Sequence, residues 1–224
     1  MKTEERIPID YWLDMENDPD AQERIKKSVA LLDVKSGMTV LDIGCHKQEA
    51  SEYLSPDSFY QGIDCQIMHP KTIQLDIDGG FVWREKVDRI LCLETLEHLI
   101  MPKGTLKSIW TTLDDDGIAV ISLPNEATIF HRLRCLFGIV DQECFNYGGK
   151  HLHLPNLKQC RTFLKEQFLI VQESAYCSYE IRGTRQPYIA IIVRLLPHTL
   201  LQLLSRLFPS LFARGFIFKL RKKI

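Results

Sequence analysis

The sequence predicts an α/β fold: a doubly wound, mostly parallel sheet with helices on both faces and an inserted cap. Three observations predict it. Thr39–Ile43 is a continuous apolar run rather than an alternating one, as in a strand covered on both faces. Strand-like and helix-like stretches then alternate, which calls for parallel pairing through crossovers. Finally, acidic residues sit at the ends of successive runs: Asp42 in Leu41-Asp42-Ile43-Gly44-Cys45, then Asp64, then Asp76. An open α/β sheet holds its ligand along that carboxyl edge.

Taken in order, Asn17-Asp18-Pro19-Asp20 reads as a helix start with Asp18 as N-cap and Pro19 in the first turn. Ile25, Val29 and Leu32 share one face of the helix that follows, which ends near Asp33 before Ser36-Gly37. After the first strand, a short helix is predicted from about Lys47 to Leu54, closed by Pro56-Asp57. Phe59–Ile63, Thr72–Leu75, Val87–Leu93 and Ile118–Leu123 make the next four strands. A helix over Gly104–Leu113 and a turn at Asp114–Gly117 precede the last of these. Ala127–Phe137 reads as an amphipathic helix, and Gly138–Pro155 as an irregular polar and aromatic stretch. Asn156 caps a helix to about Gln167, followed by a strand at Phe168–Glu173. Pro197–Phe208 is helical, Pro209 stops it, and Gly215–Leu220 is a seventh strand, expected to run antiparallel. The division is one domain, 1–224: an N-terminal helical segment (1–36), a core (37–123), a cap (124–156) and the remaining half of the sheet (157–224).

A chain of 224 residues with 45% hydrophobic and 25% charged side chains is an ordinary globular domain, not a disordered or membrane-spanning one. Seven cysteines without a Cys-x-x-Cys pair read as reduced thiols, and the charged Met1–Asp10 does not resemble a secretory signal, so a cytoplasmic location is expected. The net charge of −1 hides an asymmetry, because nine basic and no acidic residues follow Glu180. With Leu200, Leu201, Leu203, Leu204, Leu207 and Phe208 on the helix there, residues 194–224 suggest weak peripheral contact with an anionic membrane. Packing of that helix on the sheet is the competing role. The end lacks the interleaved aromatics of a nucleic-acid surface.

Val40-Leu41-Asp42-Ile43-Gly44-Cys45, Gly62-Ile63-Asp64, Leu75-Asp76 and Leu91-Cys92-Leu93-Glu94-Thr95-Leu96-Glu97-His98-Leu99 resemble, in order and spacing, the class I S-adenosylmethionine-dependent methyltransferases. The likeness extends to Ser122-Leu123-Pro124-Asn125, His151-Leu152-His153 and Phe208–Phe216, nearly the whole chain, and is nearest the members that act on small molecules. It implies a Rossmann-like fold and S-adenosyl-L-methionine as cofactor. Gly44 would admit the cofactor closely, with helix N–H groups behind it meeting the methionine carboxylate. Asp64 would accept the ribose hydroxyls, Asp76 the adenine amino group, and the Ile77 N–H would donate to the ring. Asp42 supports this edge, and Glu94 faces the methyl group. The family's Gly-x-Gly-x-Gly loop here reads Gly44, His46, Gln48. Either the loop has shifted, or His46 itself touches the carboxylate, or the slot is narrowed and binding weakened.

For the chemistry, His98 lies near the floor implied by the resemblance, and His151 with His98 is the candidate catalytic pair, a base being needed only for a protonated nucleophile. His151 and His153 would share a face if extended. With His131 they suggest a metal, but no third ligand has useful spacing, so no metal is expected. Asn125, Tyr147 and His153 are read as a polar wall of the substrate pocket, and Tyr11 with Trp12 as a lid or as core. The function expected is methylation of a sugar-, lipid- or metabolite-type acceptor. The rival is a non-catalytic binding protein on the same fold. A nicotinamide-dependent oxidoreductase is disfavoured by the absence of Gly-x-Gly-x-x-Gly.

Overall fold

The computed structural model describes residues 19–138, 151–177 and 197–223. Tyr11, Trp12, the expected N-cap Asp18 and Tyr147, singled out above, lie outside the described residues, as do Arg182, Arg185 and Arg194 among the nine late basic residues. The strands are β1 (Thr39–Ile43), β2 (Phe59–Asp64), β3 (Ile73–Gln74), β4 (Val87–Leu93), β5 (Leu113–Pro124), β6 (Phe168–Tyr176) and β7 (Gly215–Lys222). They form one seven-stranded sheet in the order β3-β2-β1-β4-β5-β7-β6. β1 is parallel to β2 and β4, and β4 to β5, while β7 runs antiparallel to both β5 and β6. The doubly wound, mostly parallel sheet predicted from the apolar runs is therefore the fold, the seventh strand reversed as expected.

The continuous runs divide between two cores by the pleat's period of two. Leu41, Ile43, Ile90, Cys92, Ala119, Ile121 and Phe218 join Leu106 and Ile109 of helix α2 (Pro102–Thr112) on one face. Val40, Leu91, Ile118, Val120 and Ile217 join Val29 and Leu32 of helix α1 (Pro19–Leu32) on the other. At about 1.5–3 kcal/mol for each fully buried large apolar side chain, this two-sided burial is what holds the strands together. Arg89 of β4 fixes the end of α1, donating from Nε to the Leu32 carbonyl at 2.8 Å and to the Asp33 carbonyl at 3.3 Å. Register then brings the strand ends together, with Ile43 opposite both Ile63 and Cys92. Gly44, Asp64 and Glu94 consequently leave the sheet along one edge.

Between these strands and the C-terminus lie α3 (Ile129–Leu136), α4 (Leu157–Leu164), α5 (His198–Leu207) and α6 (Pro209–Phe212). Asn156 caps α4 as expected, in a reciprocal pair of 3.0 Å hydrogen bonds with Gln159. Four expectations are corrected. The helix predicted after β1 is a single 3₁₀ turn, Glu49–Tyr53, preceded by Gln48 in the left-handed region at φ 64°. The β3 strand is only two residues long. The turn at Asp114–Gly117 is part of β5, where the register with β4 jumps from Val87–Leu113 to Arg89–Ile118, a bulge-like insertion. The Lys222 ammonium holds this insertion through Asp115 at 2.8 Å, so one of the nine late basic residues is tied to the fold. Pro209 does more than stop α5, because it opens α6. On α5, Leu201 and Ser205 are buried while Leu200, Leu203 and Leu207 are exposed. Among the described residues, no helix is long and apolar enough to cross a membrane.

Candidate active site

The loop leaving β1 keeps a glycine-rich backbone with one of the three glycines. Gly44 has φ 72°, His46 47° and Gln48 64°, so all three positions expected to be glycine are left-handed. A Cβ on Gly44 would lie 2.3 Å from Thr95 Oγ1, which leaves glycine as the only residue that fits. At His46 and Gln48 the left-handed backbone costs roughly 1–2 kcal/mol each. Gln48 is buried, and its amide donates to Thr72 Oγ1 at 3.0 Å, which offsets part of that cost. Its room comes from β2, where a Cβ on Gly62 would stand 2.9 Å from Gln48 Nε2. The His46 imidazole meets Glu49 at 2.8 Å, and its backbone N–H donates to Asp64 at 2.9 Å.

One cleft runs along this edge, lined by Gly44, His46, Asp64, Ile77, Glu94, His98 and His151 among others. Asp64 holds its mouth, accepting the His46 N–H on one oxygen and the Gln66 N–H on the other. Ile77 is a buried wall, whereas Asp76 is exposed just outside the lining and accepts the Asp78 N–H at 3.1 Å. The segment carrying Ile77 is pinned to α2, since the Thr105 hydroxyl donates to the Ile77 carbonyl at 2.6 Å and Ser108 Oγ accepts the Phe81 N–H at 2.8 Å. Glu94 has φ 49° and accepts from the Ser122 hydroxyl at 3.1 Å.

Asp42 is buried beneath the loop, and the Tyr60 hydroxyl donates to it at 2.5 Å. Burial pushes its carboxyl up to about 7, against the lowering effect of the Tyr60 bond. Because the folded value stands above the unfolded one, the folded state retains a proton that the unfolded chain has lost between about pH 4 and 7. Asp42 therefore weakens the fold progressively across that window and fully above it. Asp42→Asn keeps an acceptor for Tyr60 and removes the titration. Its unfolding midpoint should match the parent's near pH 4, rise above it as pH climbs to 7, and stay above it by a constant margin beyond; a constant difference at every pH would contradict this assignment.

At the other end of the cleft, the 3₁₀ turn Leu96–His98 presents Glu97 and His98, both buried. The His98 and His151 rings stand edge to face, 4.8 Å apart. His151 Nδ1 is hydrogen-bonded to Glu126. Burial would lower the His151 imidazole, but the Glu126 bond and the Glu97 charge together raise it. Burial pushes Glu97 up, and the neighbouring Glu94 charge adds to that shift.

The structure thus gathers Asp42, Gly44, His46, Asp64, Ile77, Glu94, His98 and His151 at one cleft. Two predicted substrate residues are elsewhere. Asn125 is a brace, its amide donating to the Ala213 carbonyl at 2.9 Å and its oxygen accepting the Ala127 N–H. The His153 ring bonds the Leu99 carbonyl at 2.9 Å and does not line the cleft, so the alternation expected to pair it with His151 does not hold. The expected anion-binding helix is also replaced by the short 3₁₀ turn, whose first turn carries Glu49 and Glu52. Sequence reasoning missed Arg24 of α1, which lines the cleft and is drawn to Glu94 and Tyr176. It also missed Glu97.

A family model described as a methyltransferase domain matches residues 17–169. No curated protein matches the chain. Among solved structures, the chain is similar to the N-methyltransferase NodS from Bradyrhizobium japonicum WM9 in complex with S-adenosyl-L-homocysteine, with TM-score 0.61 and 16% identity over 99% of this chain and 97% of that one. It is similar to the small RNA methyltransferase HEN1, with TM-score 0.62 and 14% identity over 93% of this chain and 26% of that one. A third is the cyclopropane synthase MmaA2 from Mycobacterium tuberculosis, with TM-score 0.57 and 14% identity over 93% and 88%. At these identities the likeness is one of fold, and the three names print three different activities.

Proposed function

The chain belongs to the methyltransferase domain family, with the class I S-adenosylmethionine-dependent fold, and from that premise we propose that it binds S-adenosylmethionine along the β1–β2–β4 edge and methylates an acceptor at the histidine end of the cleft. The observation that carries this reading is the loop: Gly44, His46 and Gln48 keep three left-handed positions although two are no longer glycine. Such strain persists where the surroundings hold it, and here Thr72, Gly62 and Asp64 do.

Bound there, S-adenosylmethionine supplies a sulfonium methyl group, an electrophile that needs alignment and exclusion of water more than acid or base. Asp64 would hold the ribose hydroxyls through its remaining lone pairs. Ile77 would meet the adenine, with Asp76 at its rim. Arg24 would meet the methionine carboxylate, in place of the helix terminus expected after β1, where a short 3₁₀ turn stands. Glu94, His98 and His151 line the acceptor side, with Glu126 orienting the His151 ring.

Our reading of the acceptor is a small sugar-, lipid- or metabolite-type molecule. Glu94, Glu97 and Glu126 gather at that end, a poor surface for a polyanionic backbone, which is held by lysine and arginine. Methyl-labelled S-adenosylmethionine offered with separate pools of small hydroxyl or carboxylate compounds and of RNA tests this. Label should enter the small pool with an equal amount of S-adenosylhomocysteine, and label in RNA alone would overturn the acceptor class. Weak membrane contact through 194–224 is a second reading, supported by the exposed Leu200, Leu203, Leu207 and Phe208. Equal sedimentation with anionic and neutral vesicles would remove it.

A further inference from the structure

The acceptor end of the cleft holds a side-chain cluster that methyl transfer alone does not require. Glu97 and His98 come from the turn after β4, and His151 is brought beside them by the backbone: the Leu152 and His153 N–H groups donate to the Glu97 carbonyl at 2.8 and 3.1 Å. Nε2 of His98 and Nε2 of His151 each lie 3.9 Å from Glu97 Oε1, and one ligand atom from each residue falls within 4.8 Å of the others. These separations exceed a hydrogen bond. They are wider than the roughly 3.4 Å between donors on a tetrahedral ion with bonds of about 2.1 Å, by about half an ångström for each Glu97–histidine pair and by up to about 1.4 Å across the cluster, so the three side chains would close inward to seat one.

Two further observations point the same way. Glu97 is 1% exposed, and neither of its carboxylate oxygens accepts a hydrogen bond among the described residues. A buried carboxylate in that condition is costly unless something cationic joins it. His151, meanwhile, is bonded through Nδ1 to Glu126, which turns Nε2 toward Glu97. A carboxylate behind a histidine is the arrangement that fixes the ring and raises its basicity at metal centres. Around the cluster stand Glu94, Glu97 and Glu126, against Arg24, Arg214 and the His151 imidazole itself, whose proton a bound ion would displace.

We propose that Glu97, His98 and His151 bind one divalent transition-metal ion at the acceptor end of the cleft. Two imidazoles and one carboxylate suit zinc, manganese, cobalt or iron(II) better than magnesium or calcium. Three protein ligands leave at least one position for an acceptor oxygen, which the ion would orient and polarise. That role rests on the methyl-transfer reading, whereas the binding of the ion does not.

The test uses the full chain, stripped with chelator, dialysed and titrated with Zn²⁺, and separately with Co²⁺ to follow its visible absorption. One ion should bind per chain, with cobalt bands of nitrogen and oxygen coordination. Glu97→Gln and His151→Ala should each weaken binding by about 100-fold, and Glu126→Gln, which touches no proposed coordination position, by about 10–100-fold. S-Adenosylhomocysteine should still bind Glu97→Gln. No stoichiometric ion binding, or affinity unchanged in Glu97→Gln and His151→Ala, overturns the proposal. If His151→Ala fails to fold, the near-isosteric Glu97→Gln decides alone, and an unchanged affinity there is sufficient to overturn it. Metal binding without cofactor binding would sink methyl transfer and leave the metal site standing; the converse would do the opposite.

Discussion

Gly104→Ala should lower the unfolding midpoint by roughly 6–12 °C and weaken cofactor binding at the same time. A Cβ at this position of α2 would lie 2.1 Å from the Gly79 carbonyl oxygen and 2.4 Å from its carbon. Both are backbone atoms, so no side chain can turn away, and the helix and the 76–81 segment must separate. Overpacking of this kind costs about 3 kcal/mol, and a domain near this size loses roughly 2–4 °C for each kcal/mol. The same segment carries Ile77 and is anchored by Thr105 and Ser108, one and four residues along α2 from Gly104. Displacing it moves the wall on which the adenine would rest. Thermal unfolding followed by circular dichroism, with and without S-adenosylhomocysteine, checks both effects; a midpoint unchanged within about 2 °C would show that the close approach is not what the helix glycine serves.

The second large effect is at Asp64. Asp64→Ala should weaken S-adenosylhomocysteine binding by roughly 10–150-fold, the equivalent of the 1.5–3 kcal/mol that hydrogen bonds to a charged group contribute. Two causes combine. The carboxylate would lose the ribose hydroxyls, and the loop would lose its anchor at the His46 N–H. Asp64→Asn keeps an oxygen for that N–H and should lose less. Equal affinities for the parent and the alanine variant, within about twofold by calorimetry, would place the ribose elsewhere.

The sheet was legible because a strand buried on both faces must be apolar throughout, and Thr39–Ile43, Val87–Leu93 and Ile118–Leu123 carry that signature at the expected intervals. The cofactor edge followed, since Gly44, Asp64 and Glu94 need only emerge where those strands end. The state of the loop could not be read locally. Whether His46 and Gln48 keep left-handed backbone depends on Gly62 and Thr72, which lie on and beyond the neighbouring strand. Asn125 and His153 were misplaced for a related reason. A polar side chain after a strand serves equally well as pocket wall or as brace, and only its partners, the carbonyls of Ala213 and Leu99, decide. Arg24 escaped because helical spacing identifies the core face, Ile25, Val29 and Leu32, and says nothing of which flank borders a cleft. Glu97 had a signal, its adjacency to His98 just after a buried strand. The third member, His151, is brought beside them by the bonds from the next two residues, Leu152 and His153, to the Glu97 carbonyl, which are invisible to residue spacing.

The claim on which the rest depends is that this altered loop still holds the cofactor. Titration of the full chain with S-adenosylmethionine and with S-adenosylhomocysteine, by calorimetry and by thermal shift, tests it most directly. The structure predicts saturable binding of one molecule per chain, with a rise in unfolding midpoint for both forms. No heat and no shift with either would contradict it, and would leave a methyltransferase fold whose slot His46 and Gln48 have closed.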